Sequence, residues 1–234
     1  MISAEKSILG VMFTRPVMRV IFISAHLDDA EAAAGGTIIR LLDEGDEIIY
    51  VGLSLCEESI PTGFEPDVLA SECTASTKIL GISEKKLIIK NFPVRRFPDH
   101  RQEILDEFIR LRNDIQPDVV VIPSSSDIHQ DHAVVTQEAV RAFRRSCSVY
   151  GYDFPWNVLQ TSPLDFFVEL KESQLMTKVR ALQCYKSQLA KPNSCLTKDY
   201  VRSLAIERGN RIGKQYAEAF EVMREVRSSD GRIF

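Results

Sequence analysis

The sequence has no cysteine pair at C-x-x-C spacing, no G-x-G-x-x-G turn, no long apolar run and no clustered basic face. Each absence closes a class of protein. The five cysteines, Cys56, Cys73, Cys147, Cys184 and Cys195, are scattered and odd in number. That argues against a disulfide framework and against thiolate zinc, and it favours a reduced, cytoplasmic setting. Without the ~18 consecutive apolar residues that a membrane helix needs, no membrane span is expected. A net charge of −4 leaves no electrostatic footprint for nucleic acid. Gly35-Gly36 lacks the spacing of a dinucleotide fingerprint, so a nucleotide-binding oxidoreductase is a poor reading. Close packing of a helix on a sheet explains that glycine pair better. Histidine and tryptophan are scarce, at four residues and one.

What is present is concentrated. His26, Asp28, Asp29 and Glu31 crowd the turn after the apolar run Val20–Ile23, and Asp127, His129, Asp131 and His132 come just after the apolar run Val119–Ile122. Three of the four histidines fall in these two clusters.

The chain's 234 residues suit one large domain with a substantial core. Strands are expected over Arg19–Ser24, Glu47–Leu53, Lys86–Lys90, Asp118–Ile122 and Leu164–Leu170, helices over Glu31–Glu44, Asp67–Leu80, His100–Ile115, Asp131–Arg145 and Glu172–Ala190. Tyr150–Pro163 reads as a loop, and Lys198–Val226 as a long helix or helix pair broken near Gly209–Gly213. Residues 1–17 read as an N-terminal arm before a single domain, 18–234. Alternating strands and helices of this length imply an α/β, doubly wound (Rossmann-like), mostly parallel sheet with helices on both faces. In the common order 3-2-1-4, the carboxyl ends of strands one and four border the switch-point crevice where such sheets bind ligands. Both clusters lie just past those ends, so the fold brings them together.

A catalytic zinc site takes three ligands from His, Asp or Glu and keeps a position for water. His26 and Asp29 offer two ligands from one turn, and His132 a third. Asp28 is then free to take a proton from water, which a divalent metal makes acidic near neutral pH. Protonated, His129 is suited to stabilise an oxyanion, and Asp131 to orient an imidazole. The parts add up to metal-assisted hydrolysis of an amide or ester, with zinc first and iron or cobalt compatible with the same ligands.

Ala25-His-Leu-Asp-Asp-Ala-Glu31 resembles the Ala-His-Pro-Asp-Asp signature of the LmbE-like (PIG-L) N-acetylglucosaminyl deacetylases, and His129-Gln-Asp-His132 resembles their His-x-Asp-His motif. Tyr185-Lys-Ser-Gln188 and Tyr216-Ala-Glu218-Ala-Phe220 are similar to later segments of that family, so the likeness runs from about Met18 to Val226. It implies a zinc-dependent hydrolase that removes acetyl from an N-acetylated sugar. By position, His26, Asp29 and His132 would bind zinc, Asp28 would be the general base and His129 would stabilise the tetrahedral intermediate. Two departures stand out. Leu27 replaces the usual proline, and Leu69 stands where many members place a substrate-binding arginine three residues before Glu72. Arg95 or Arg96 would have to compensate. A nucleotide-linked sugar, a glycoside, a lipid-linked sugar and a thiol-sugar conjugate all fit, and so does a homo-oligomer.

Plainer roles compete. Asp28 or Asp29 is suited to cap a helix, the His129/His132 pair to a helix surface, and His100 to a helix start. Arg95-Arg96 reads equally as a solvated pair. Tyr216 and Glu218 either pack in the core or line the site, and Trp156 either stacks on a sugar or plugs a loop. A metal- or sugar-binding protein without turnover is the other class, although a free Asp28 would then have no use.

Overall fold

A computed structural model describes residues 16–159 and 163–226. Of the expected N-terminal arm, all but Pro16 and Val17 lies outside the described residues. The strands are β1 (Arg19–His26), β2 (Glu47–Ser54), β3 (Leu87–Ile89), β4 (Val119–Pro123), β5 (Ser148–Tyr152), β6 (Leu164–Glu169) and β7 (Ala217–Arg224). The helices are α1 (Asp29–Asp43), α2 (Val68–Leu80), α3 (Arg101–Ile115), α4 (Gln130–Phe143), α5 (Glu172–Leu182), the single turn α6 (Lys186–Leu189) and α7 (Lys198–Arg211).

The seven strands form one sheet in the order β3-β2-β1-β4-β5-β7-β6. The pairs from β3 to β5 are parallel, with Ile21 beside Ile49 and Val120, whereas β7 is antiparallel to both β5 and β6. Alternation along β1 sets the two faces. Val20 and Phe22 join the core under α1, α2, α5 and α7 with Ile38, Leu69, Leu175 and Val201. Ile21 and Ile23 join the core under α3 and α4 with Phe108 and Val135. The sheet is therefore buried on both sides, as unbroken apolar strands require.

Three segments depart from the expectations. The stretch read as a loop from Tyr150 opens inside β5, which a short buried run cannot announce by period alone. The segment read as helix Glu172–Ala190 ends at Leu182, because Tyr185 turns inward and donates its hydroxyl to Leu27 O at 2.6 Å. The segment after Lys198 does break near Gly209–Gly213, but the chain then enters strand β7 instead of a second helix. A Cβ on Gly209 would lie 2.7 Å from Lys214 O, so the chain doubles back there against its own backbone. Ala, Glu and Met in β7 favour a helix, yet Glu218 and Glu221 are buried and each binds a set of donors from neighbouring elements.

Those donors explain the glycine pair. Helix α1 breaks at Ala34 (φ −127°, ψ 15°), which frees the amides of Gly36 and Thr37. Glu218 accepts both, at 3.0 and 2.6 Å, and so caps the second half of α1 from across the sheet. A Cβ on Gly36 would lie 2.4 Å from Leu170 Cδ1 and 3.1 Å from Glu218 Oε1, so a larger residue would have to displace the Leu170 side chain and crowd the capping carboxylate.

Candidate metal centre

Strand β1 delivers His26 as its last residue, and the next turn starts α1 at Asp29. Buried donors fix that turn. Leu27 O accepts the hydroxyls of Tyr50 at 2.9 Å and Tyr185 at 2.6 Å, and both tyrosines also bond the buried Glu31 carboxyl. Burial raises Glu31 to a pKa of about 8, against the pull of those two tyrosines, so it stands largely protonated at neutral pH. Asp28 occupies the N-cap position but makes no side-chain cap bond. Asp29 accepts the His26 amide at 2.7 Å instead. The helix-cap role therefore leaves the Asp28 carboxylate unused.

At the end of β4, Asp127 accepts the His129 amide at 2.8 Å through Oδ1 and meets His132 Nδ1 at 2.7 Å through Oδ2. That pairing leaves His132 Nε2 facing the centre. Asp131 lies 3.2 Å from His26 Nε2, which turns His26 Nδ1 inward. Asp131 is itself held by the Arg95 amide at 2.7 Å, and Arg95 takes a left-handed backbone (φ +66°) to aim that N–H.

The inward atoms form a triangle: His132 Nε2 to His26 Nδ1 3.2 Å, His132 Nε2 to Asp29 Oδ2 3.3 Å and His26 Nδ1 to Asp29 Oδ2 3.6 Å. Three ligands at ~2.0–2.1 Å from one tetrahedral zinc stand about 3.3–3.4 Å apart. The donor set therefore fits a zinc-sized ion by type and by spacing, with a carboxylate behind each imidazole. His129 also brings a ring nitrogen within 4.8 Å of those of His26 and His132, but its Nδ1 accepts the Asp131 amide at 3.2 Å. With Nδ1 as acceptor, Nε2 carries the ring proton and is left as a donor.

The electrostatics agree with a cation site. Burial alone would lower His26 and His132, yet Asp29 with Asp131 raises His26 to about 9, and Asp29 with Asp127 raises His132 to about 10. Asp29 is driven far down, because the two histidines outweigh its burial. Asp28 goes the other way: burial and the charge of Asp29 raise it to about 6. Burial lowers the His129 pKa, and the charges of His26 and His132 push it further down, which favours the neutral imidazole as a hydrogen-bond donor.

His26, Asp28, Asp29, His129 and His132 line a cavity of about 280 Å³ together with Cys56, Leu69, Arg95, Trp156, Asn157, Gln188 and Lys191. Arg95 is thus in the cavity, and Arg96 is not among its lining residues. Tyr216 and Glu218 lie outside it. Tyr216 is buried against Arg202, and Glu218 is occupied by α1 and Lys178. Sequence reasoning gave no role to Asp127, Lys191 or Gln188. Asp127 carried a signal, a carboxylate five residues before His132, whereas nothing local marks Lys191. It is placed by Ser187, whose amide and hydroxyl both bond Glu72, at 2.8 and 2.6 Å.

Comparison with known proteins gives a consistent picture. The chain is 26% identical to diacetylchitobiose deacetylase of Thermococcus kodakarensis over 226 residues, covering 86% of this chain and 82% of that protein. Its fold matches the N,N'-diacetylchitobiose deacetylase of Pyrococcus horikoshii with TM-score 0.72 at 23% identity, over 88% of this chain and 84% of the other. It matches GalB, the 4-carboxy-2-hydroxymuconate hydratase of Pseudomonas putida, equally well: TM-score 0.72, 20% identity, 91% and 99% covered. The shared fold therefore hosts more than one chemistry. The model of the PIG-L family, described as GlcNAc-PI de-N-acetylase, matches residues 21–143, more than half the chain and the part that carries both clusters, so the protein belongs to the PIG-L family.

Proposed function

We propose that the protein is a metal-dependent amide hydrolase that removes the acetyl group from an N-acetylated amino sugar or a related small glycoside. The observation that carries this reading is the triangle of His26, Asp29 and His132 with the Asp28 carboxylate, which caps no helix, on the same cavity wall. His26, Asp29 and His132 would hold the ion through their inward atoms, zinc by donor type. A divalent cation there supplies Lewis-acid activation of water and of the amide carbonyl. Asp28 takes a proton from the attacking water, whose oxygen adds to the acetyl carbon. His129 donates Nε2–H to the carbonyl oxygen as negative charge gathers there. The carbon–nitrogen bond breaks as Asp28 returns the proton to the departing nitrogen, and the products, acetic acid and the free amine, leave and exchange the remaining proton to give acetate and an ammonium ion. Asp131 and Asp127 orient His26 and His132 but touch no reacting atom. Arg95 is the candidate among the two arginines to meet substrate, and the scattered cysteines favour the cytoplasm as its setting.

A protein that binds metal or sugar without turnover is disfavoured by Asp28, a half-buried carboxylate on the cavity wall beside the buried Asp29, where it serves no cap. The test is acetate release from N-acetylglucosamine and from N,N'-diacetylchitobiose. Release is expected with zinc, absent after chelation, and restored by added metal. Zinc retention without release from either sugar would leave the silent binder standing.

Asp127→Asn is expected to weaken zinc binding about 10- to 100-fold, because the imidazole of His132 loses the carboxylate that fixes its tautomer. Competition against a chromophoric chelator measures this. An unchanged affinity would remove Asp127 from the site.

A further inference from the structure

We propose that Trp156 is a stacking platform for the ring attached to the reacting amino sugar, so that the site selects a disaccharide over a free monosaccharide. This rests on the deacetylase reading and specifies its substrate. A cavity of about 280 Å³ lies at the small end of ligand pockets, ~300–1,000 Å³, and has room for little more than one sugar ring. The metal-facing end is closed, with Asp29 and His132 buried. Whatever is bonded to the reacting sugar therefore leaves across the open rim.

Trp156, 44% exposed, lines the cavity with Phe154 and Leu196, and its strip of chain is tied to the one before His129 by the Ile128 amide, which donates to Asn157 O at 2.9 Å. Trp156 stacks on Phe154 (4.8 Å, 30°) and meets Tyr200 at a steep angle (5.4 Å, 67°). Phe154 in turn lies against His132 at 5.7 Å. The indole is thus pinned in plane and linked to the metal-facing wall, and little rotamer freedom is lost when a ligand covers it. A pyranose has an apolar C–H face and a hydroxyl edge. The face suits an aromatic ring, and Asn157, Gln188, Lys191 and Arg95 on the same cavity walls suit the hydroxyls. An acyl chain would need a continuous apolar groove, which this mixed lining does not offer.

Trp156 is the chain's only tryptophan, so its fluorescence reports the platform directly. In zinc-loaded Asp28→Asn protein, which is expected not to consume substrate, N,N'-diacetylchitobiose should quench or shift the emission saturably, and N-acetylglucosamine should do so at least tenfold more weakly. In the active enzyme, Trp156→Ala should lower the disaccharide-to-monosaccharide ratio of kcat/KM about tenfold, with the loss in disaccharide KM rather than kcat. Trp156→Phe should retain most of the ratio, which excludes simple misfolding. Equal losses on both sugars, or disaccharide binding without an emission change, would overturn the platform. So would an emission shift that tracks protein concentration alone, together with dimers in sedimentation, since a second copy would then cover the patch. A saturable emission change in the zinc-loaded parent enzyme, with no acetate released from either sugar, would sink the deacetylase reading and leave the platform.

Discussion

Asp28→Asn is expected to keep its zinc and to lose activity by about 10²- to 10⁴-fold, the range that one general base contributes. The substitution keeps the shape of the side chain and removes its capacity to accept a proton. None of the three inward donors belongs to Asp28, so metal content measured by atomic emission should match the parent. The pH profile supplies a second readout. Burial and the charge of Asp29 raise Asp28 to about 6. Only the ionised form accepts a proton, so kcat/KM falls as pH drops through the carboxyl's pKa. A divalent ion nearby stabilises the carboxylate and places that limb at or below about 6. The stability effect has the opposite sign. Above pH 6 the wild-type chain holds two adjacent carboxylates, one of them buried, so in metal-free protein Asn at 28 should leave the melting temperature unchanged or raise it. Parent-like turnover with full zinc would remove Asp28 from the chemistry, and lost zinc would make it a ligand instead.

How much of this was legible in the sequence differs by element. Strand order β3-β2-β1-β4 came out of alternating strands and helices, because unbroken apolar runs such as Val20–Ile23 need cover on both faces. That order alone put His26 and His132 at neighbouring strand ends, and their nitrogens lie 3.2 Å apart. Residues placed by long-range partners were not legible. Glu218 was weighed as a possible site residue and proves to be a cap for a helix break, since nothing local tells that α1 parts at Ala34. The strand around Glu218 was read as helix for the same reason: its alanines and glutamates favour a helix, and only its neighbours β5 and β6 override them. Lys191 entered the cavity through Glu72 and Ser187, on elements 115 residues apart in sequence.

Glu218→Ala is expected to destabilise the fold by about 3–5 kcal/mol, the cost of breaking a buried pair from one side. Its carboxylate accepts the Gly36 amide, the Thr37 amide and hydroxyl, and the Lys178 ammonium at 2.6 Å. Lys178 and Glu218 are both buried, so removing the acid strands a cation as well as two helix amides. Two contributions can be separated. Lys178→Met alone leaves Glu218 with its three donors on α1, whose partial positive charge suits a carboxylate, and is expected to cost much less than Glu218→Ala. The double substitution removes the stranded ammonium, so it should lie closer to native than Glu218→Ala by several kcal/mol, while still carrying the uncapped break at Ala34. Chemical denaturation of the four proteins closes the cycle. A Glu218→Ala loss under about 1 kcal/mol would mean that water reaches the pair, on the scale of exposed salt bridges, and α1 would then owe its break to the glycines alone.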